Sequence, residues 1–205
     1  MKNSILLFAI TLLSINSFSQ LKGSGKTVTK TFNYTNFDKI NFEDLDGKFE
    51  VEVGKPYSIS VTIDDNLYPL LLVENNAANN QLSIRLKGNN NNKMYIEDTK
   101  IKIKVTLPKV AALKNDSNGF LTVSGITGNN LIVETLDNGS TELIGTIDNL
   151  DSKSTGNGVL NAKQLLVKKA TVKASGNGNV YINVSDSITS KTSGNGEIIN
   201  SGKAK

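Results

Sequence analysis

The sequence predicts an all-β chain, built as a parallel β-helix or a close β-solenoid relative with an N-terminal group of longer strands. Three observations carry that expectation. Between residues 27 and 108 apolar and polar residues alternate with period two, the mark of half-buried strands. From Pro108 onward an Asn-Gly dipeptide recurs, with glycine spacings of 20, 19, 20 and 18. The chain's 205 residues include neither cysteine nor histidine. Disulfides and His/Cys metal sites are thereby excluded, and packing must supply the stability.

The first twenty residues read as a secretory signal peptide. Lys2 precedes an apolar run from Ile5 to Ile15, and small residues stand at Ser17 and Ser19, the pattern of a cleavable export signal cut near Ser19/Gln20. The run is about half of what a bilayer span needs, so no membrane span is expected. Without a cysteine, a lipoprotein anchor is not expected either. The formal charge of +4 falls to +3 when Lys2 is lost. The expected location is periplasmic, on the outer surface or extracellular, with residues 20–205 as one domain.

Within that domain, residues 27–108 form the N-terminal strands. Phe49, Val51 and Val53 alternate with polar residues, as do Ile59, Val61 and Ile63, then Leu82, Ile84 and Leu86, then Ile101, Ile103, Val105 and Leu107. The breaks carry turn residues: Asp46-Gly47, Gly54-Lys55-Pro56, and Gly88 followed by Asn89 to Asn92. The stretch from Asp65 to Val73 reads as a short helix or wide loop, limited by Pro69.

Residues 109–202 are expected to be short-rung solenoid repeats. Their corners are Asn118-Gly119, Asn138-Gly139, Asn157-Gly158, Asn177-Gly178 and Asn195-Gly196. Aligned on the glycine, the positions two residues later are Leu121, Thr141, Leu160, Val180 and Ile198, and those eight before it are Ala111, Leu131, Leu150, Ala170 and Ile188. Even offsets are mostly apolar or small, so two short strands per unit turn the same parity inward. A unit of about 19 residues closes no core alone, but five stacked at about 4.8 Å per rung give a column about 24 Å long. The corners call for positive φ, which glycine adopts freely and asparagine tolerates, and stacked asparagines suit an amide ladder. A series of type I′ hairpins is the competing reading, but hairpins require no constant period.

Particular segments resemble a family of exported Bacteroidetes-type proteins, the putative auto-transporter adhesin head, or GIN domain, a domain of unknown function. They are Phe37-Asp38-Lys39-Ile40, Phe49-Glu50-Val51-Glu52-Val53-Gly54, Lys102 to Pro108, and the Ser-Gly-Asn-Gly units beginning at Ser175 and Ser193. The resemblance implies a right-handed β-helical architecture outside the inner membrane. It brings no catalytic residues with it.

The chain's chemistry points to binding. No imidazole or thiolate is present, so the common nucleophile–base pairs are excluded. Of 23 basic residues only Arg85 is an arginine, so base-specific nucleic-acid readout is not expected. No cofactor and no metal is expected. Asp44 with Asp46, Asp64 with Asp65, and Asp148 with Asp151 are the available acid pairs, and each is expected in a turn. Five residues before each corner glycine stand Lys114, Glu134, Lys153, Lys173 and Lys191, an odd offset and hence an outward column. Lys153, Lys173 and Lys191 are the candidate binding residues for an anionic polysaccharide or cell-surface component, with Tyr181 as an outward aromatic. Phe120 is expected to pack under a neighbouring loop. Lys203 and Lys205 either guard the solenoid end or mark where another chain docks. The leading reading is an exported non-catalytic surface or periplasmic protein, an adhesin or glycan binder. A polysaccharide-active enzyme using Asp148, Asp151 and a lysine is one alternative, and a structural envelope component is another.

Overall fold

The computed structural model describes residues 21–89 and 96–204. The segment expected to be a signal peptide, the expected turn at Asn90 to Asn92, and Lys205 lie outside the described residues. The strands are β1 (Leu21–Lys22), β2 (Thr27–Phe32), β3 (Lys39–Glu43), β4 (Gly47–Val53), β5 (Ser58–Asp64), β6 (Leu71–Asn76), β7 (Gln81–Leu86), β8 (Ile96–Glu97) and β9 (Ile101–Leu107). They continue as β10 (Ala112–Asp116), β11 (Phe120–Ile126), β12 (Asn130–Leu136), β13 (Ser140–Gly156), β14 (Leu160–Gly176), β15 (Val180–Gly194) and β16 (Ile198–Asn200). One 3-10 turn, Tyr68–Leu70, is the only helical element among the described residues. The protein is all-β, with parallel and antiparallel pairs in one large curled sheet and a separate two-stranded sheet of β1 and β8.

The pairing resolves into two parallel ladders. In the first, β7, β3, β10, β12 and the C-terminal parts of β13, β14 and β15 follow one another. In the second, β9, β4, β11 and the N-terminal parts of β13, β14 and β15 lead to β16. Parity drives this arrangement: Ile101, Ile103, Val105 and Leu107 are buried, while Lys102 and Lys104 between them are exposed. The inward faces share one core. Phe42 of the first ladder stacks on Phe49 of the second at 4.7 Å between ring centroids, and each buried ring contributes about 1.5–3 kcal/mol.

The corners join the ladders by parallel pairing, which excludes the hairpin reading. A sixth corner belongs to the same column. Phe120 pairs with Lys48 and Asn118 N donates to Leu45 O at 2.9 Å, so Asp46-Gly47 lies in register with Asn118-Gly119. The strands of the N-terminal region are therefore not a separate group of longer strands. They run five to seven residues in β3, β4, β5 and β9, whereas β13, β14 and β15 run 17, 17 and 15. The expected short rungs are long because β13, β14 and β15 each run from one ladder to the other without a chain break, through register shifts that in β13 fall beside a glycine. Gly145 has φ 146°, and a Cβ there would overlap backbone atoms of Ile126.

The segment from Asp65 to Val73 differs in part from expectation. The turn at Tyr68–Leu70 carries Pro69, but Leu71 already begins β6, which pairs antiparallel with β7. β5 pairs antiparallel with β9, and β2 with β5, so antiparallel strands cover the ladders' N-terminal end. At the other end Ser187–Gly194 of β15 pairs only with β14. The parity that buries Val172 and Ala174 one tier back brings exposed Ser190 and Thr192 to this edge.

Two buried polar side chains, Asp64 and Asn115, are tied down by hydrogen bonds. Asp64 is fully buried and accepts from Gly25 N at 2.9 Å and Lys100 N at 2.7 Å. It is a structural acceptor at the end of β5, not the turn residue its sequence neighbours suggest. Under the corners, the Asn115 amide donates to Ser140 O at 3.0 Å and accepts from Ser117 Oγ at 2.6 Å.

Candidate binding face

The asparagine corners form a continuous amide ladder. Asn138 Nδ2 donates to Asn118 Oδ1 at 3.1 Å, Asn157 to Asn138 at 2.8 Å, Asn177 to Asn157 at 2.8 Å, and Asn195 to Asn177 at 2.9 Å. The glycine requirement is divided between two positions, which corrects the expectation that the Asn-Gly glycine supplies the positive φ. Positive φ falls two residues earlier, at Asp137, Gly156, Gly176 and Gly194, with values of 55°, 99°, 118° and 108°. The glycine after asparagine is needed for room: a Cβ on Gly158 would overlap Gly139 O, one on Gly178 would overlap Gly158 O, and one on Gly196 would overlap Gly178 O. Gly139 is likewise closed by Ser117 O, and Gly119 by the Phe49 ring.

On the outside of the first ladder the charged column is in register. Lys114 pairs with Glu134, Glu134 with Lys153, Lys153 with Lys173, and Lys173 with Lys191. The head of the column is neutralised, since Lys114 Nζ lies 2.8 Å from Asp116 and 3.3 Å from Glu43. Partial burial works against the Lys114 charge, but these two carboxylates outweigh it and raise its pKa. Lys153, Lys173 and Lys191 are exposed. Strand spacing sets neighbouring backbones about 4.8 Å apart, so three ammonium groups line one face on consecutive tiers.

Beside this column runs a shallow groove of about 500 Å³, lined among others by Asn149, Asp151, Lys169, Thr171 and Thr189. Asn130, Asn149, Lys169 and Ser187 form one outward column, and Ile132, Asp151, Thr171 and Thr189 the next. Apart from Asp151, named there only as a member of an acid pair and of the enzyme alternative, sequence reasoning passed over these residues as a site. The same alignment contains them, nine and seven residues before the corner glycine, but their mixed chemistry raised no signal. Ile132 is 52% exposed at the groove's upper end.

Other predicted residues lie apart from this face. Tyr181 is on the second ladder, between Asn161 and Ile199, half-buried with Lys163 Nζ 4.1 Å from its ring centre. It does not join the lysines. Phe120 does not pack under a loop: its ring is 47% exposed, because its position after the corner turns it outward while its partner Lys48 leaves it uncovered. Asp151 lines the groove with Lys169, but Asp148 is held by Lys168 at 2.7 Å and is not among the groove's lining residues. The three-residue acid–lysine centre of the enzyme alternative is not assembled there.

The architecture is that of a laddered all-β protein whose polar outer columns face solvent. The chain belongs to the family described as "Putative auto-transporter adhesin, head GIN domain", which matches residues 36–204. It is similar in fold to a solved structure described as a putative adhesin from Bacteroides fragilis, at 18% identity and TM-score 0.61, covering 88% of this chain and 99% of that one. It also matches a structure described as a putative lipid binding protein from Parabacteroides distasonis at 22% identity and TM-score 0.48, covering 91% and 98%. A further match is a putative adhesin from Parabacteroides merdae at 20% identity and TM-score 0.44, covering 90% and 98%. No curated protein matches the chain. Among the described residues no helix is long and apolar enough to cross a membrane.

Proposed function

We propose that this is an exported, non-catalytic surface or periplasmic protein that holds anionic polysaccharide along the lysine face of its first ladder. The observation that carries the reading is the in-register run of Lys153, Lys173 and Lys191, exposed beside a groove whose lining includes hydroxyl and amide groups, Lys169 and the Asp151 carboxylate. Three like charges on adjacent tiers repel one another, and a polyanion relieves that repulsion while releasing its counterions. Lysine suits this role because it supplies point charge without demanding a fixed geometry. Family membership and the export-like N-terminus support a location outside the cytoplasm, with the segment near Ser19/Gln20 as the cleavage site and residues 20–205 as one unit. The parallel ladders are read as a right-handed β-helix, on the general preference of parallel crossovers for that hand.

The test is retention on an anionic glycan matrix. Wild type is expected to bind and to elute with rising salt, as screening requires. The variant carrying Lys153→Glu, Lys173→Glu and Lys191→Glu is expected to pass through. Equal, salt-insensitive retention of both proteins overturns the proposal.

A further inference from the structure

A second cleft lies on the opposite ladder, at the head of the corner column, and it has a different chemistry. It encloses about 710 Å³ and is lined by residues of β4, β9, β11 and the strands beyond them, including Asp46, Lys48, Lys102, Asn118 and Phe120. We propose that this cleft binds a single acidic sugar residue: the ring stacks on Phe120, its carboxylate meets Lys48 and Lys102, and its hydroxyls bond Asp46 and Asn118. This site is independent of the lysine face, because it takes one ring and not a length of chain.

The register fixes the platform and the charges relative to each other. Phe120 pairs with Lys48, Lys48 with Lys102, and Lys102 with Thr62, so the four side chains form one row across adjacent strands. The Phe120 and Lys48 backbones stand about one strand spacing, ~4.8 Å, apart, so a carboxylate carried on a ring stacked on Phe120 lies within the reach of the lysine side chain. Phe120 has no apolar equivalent beside it in the row: the tiers on either side place Lys48 and Ser140 at that position. The half-exposed Phe120 ring offers this cleft a flat apolar face on which the apolar face of a sugar can stack.

Asp46 supplies the second observation. It stands at the corner in the tier before Asn118, where the rest of the column carries asparagine, and it is half-buried. Burial raises its pKa, and among the described residues no hydrogen bond reaches its carboxylate. An ionised carboxylate only accepts hydrogen bonds, so hydroxyl donors of a bound sugar would satisfy it where the fold does not. Asn118 Oδ1 is used by Asn138, which leaves its amide nitrogen to donate on the side of Asp46. Lys100, also at the cleft, is already engaged, its Nζ donating to Gly25 O at 3.0 Å.

The test is titration of the purified protein with a glucuronate-containing disaccharide, and separately with the matching neutral glucose disaccharide, followed by calorimetry and by the Phe120 ring resonances. The acidic sugar is expected to bind at least tenfold more tightly than the neutral one and to shift the Phe120 signals. Phe120→Ala is expected to weaken it at least tenfold, Lys48→Ala with Lys102→Ala to remove the preference for acid, and Asp46→Asn to weaken both sugars. The Lys153, Lys173 and Lys191 triple variant is expected to bind the disaccharide like wild type, which separates this site from the polysaccharide face. Absence of binding, equal affinity for both sugars, or unchanged affinity in Phe120→Ala overturns the proposal. Because the Phe120 side chain is half exposed, an unchanged melting temperature in Phe120→Ala is expected to confirm that the loss is one of binding.

Discussion

Asn157 gives and receives across adjacent tiers: its Nδ2 donates to Asn138 Oδ1 at 2.8 Å, and its Oδ1 accepts from Asn177 Nδ2 at 2.8 Å. Every amide in the ladder points the same way, so each bond polarises the next. Asn157→Asp removes the donor and sets two acceptors against each other. A loss of about 0.5–1.5 kcal/mol is expected, read from the urea midpoint. Asn195→Asp at the ladder's end breaks only the bond to Asn177 and is expected to lose no more than Asn157→Asp.

Gly178 and Gly54 separate room from backbone freedom. Gly54 has φ 86° and nothing within 4 Å of a Cβ, so Gly54→Ala is expected to lose about 1–2 kcal/mol through its left-handed backbone. Gly178 needs no positive φ, yet an added methyl meets the carbonyl of Gly158. Gly178→Ala is expected to lose about 1–3 kcal/mol from overpacking and to disturb the neighbouring tiers. Amide exchange should therefore quicken around Gly158 and Gly196 in this variant and stay near wild type there in Gly54→Ala.

Asp64 holds the N-terminal segment to the ladder end through Gly25 N and Lys100 N. Asp64→Ala leaves both N–H groups without their acceptor, and a loss of about 2–3 kcal/mol is expected. Proteolysis near Gly25 should accelerate before global unfolding does, and a cleavage pattern identical to wild type would rule out this anchoring role.

Asp46 should report on pH. Burial raises its folded pKa above the ordinary 3.8, so its favourable contribution is complete below that value and is lost as pH rises through the folded one. Asp46→Asn abolishes this dependence and adds an amide at the head of the column. The variant is expected to melt above wild type at pH 7, with the difference closing as pH falls towards about 3. A constant difference across that range would show that the carboxylate's charge is not the cause.

The alternation of Ile101, Ile103, Val105 and Leu107 and the spacing of the corner glycines were enough to read strands and inward faces, because both are local periodicities that the backbone geometry imposes. The first tier was hidden because its period exists only in space. β10 and β11 stack on β3 and β4, some 70 residues earlier in the chain, and β5 to β9 lie between them in sequence. The role of Gly156 and Gly176 as the positive-φ residues was equally hidden, since Gly-Asn-Gly offers two candidates and only contact with the previous tier tells them apart. The lysine column was readable from one offset in the alignment. The Phe120 cleft was not, because it joins residues from β4, β9 and β11, whose proximity depends on that non-local stacking.

The corner geometry also bears on how this protein ages. Asn-Gly is the dipeptide most prone to lose ammonia, through attack of the glycine nitrogen on the asparagine side chain to form a cyclic imide. Here Gly178 N donates to Gly156 O at 3.1 Å and Gly196 N to Gly176 O at 2.9 Å, while the Asn177 and Asn195 amides are held by the ladder. The attacking nitrogen and the group it would displace are both occupied by the tier before. Folding therefore shields Asn177-Gly178 and Asn195-Gly196 from this reaction, and the rate of ammonia loss there becomes a direct measure of how seldom the tiers open.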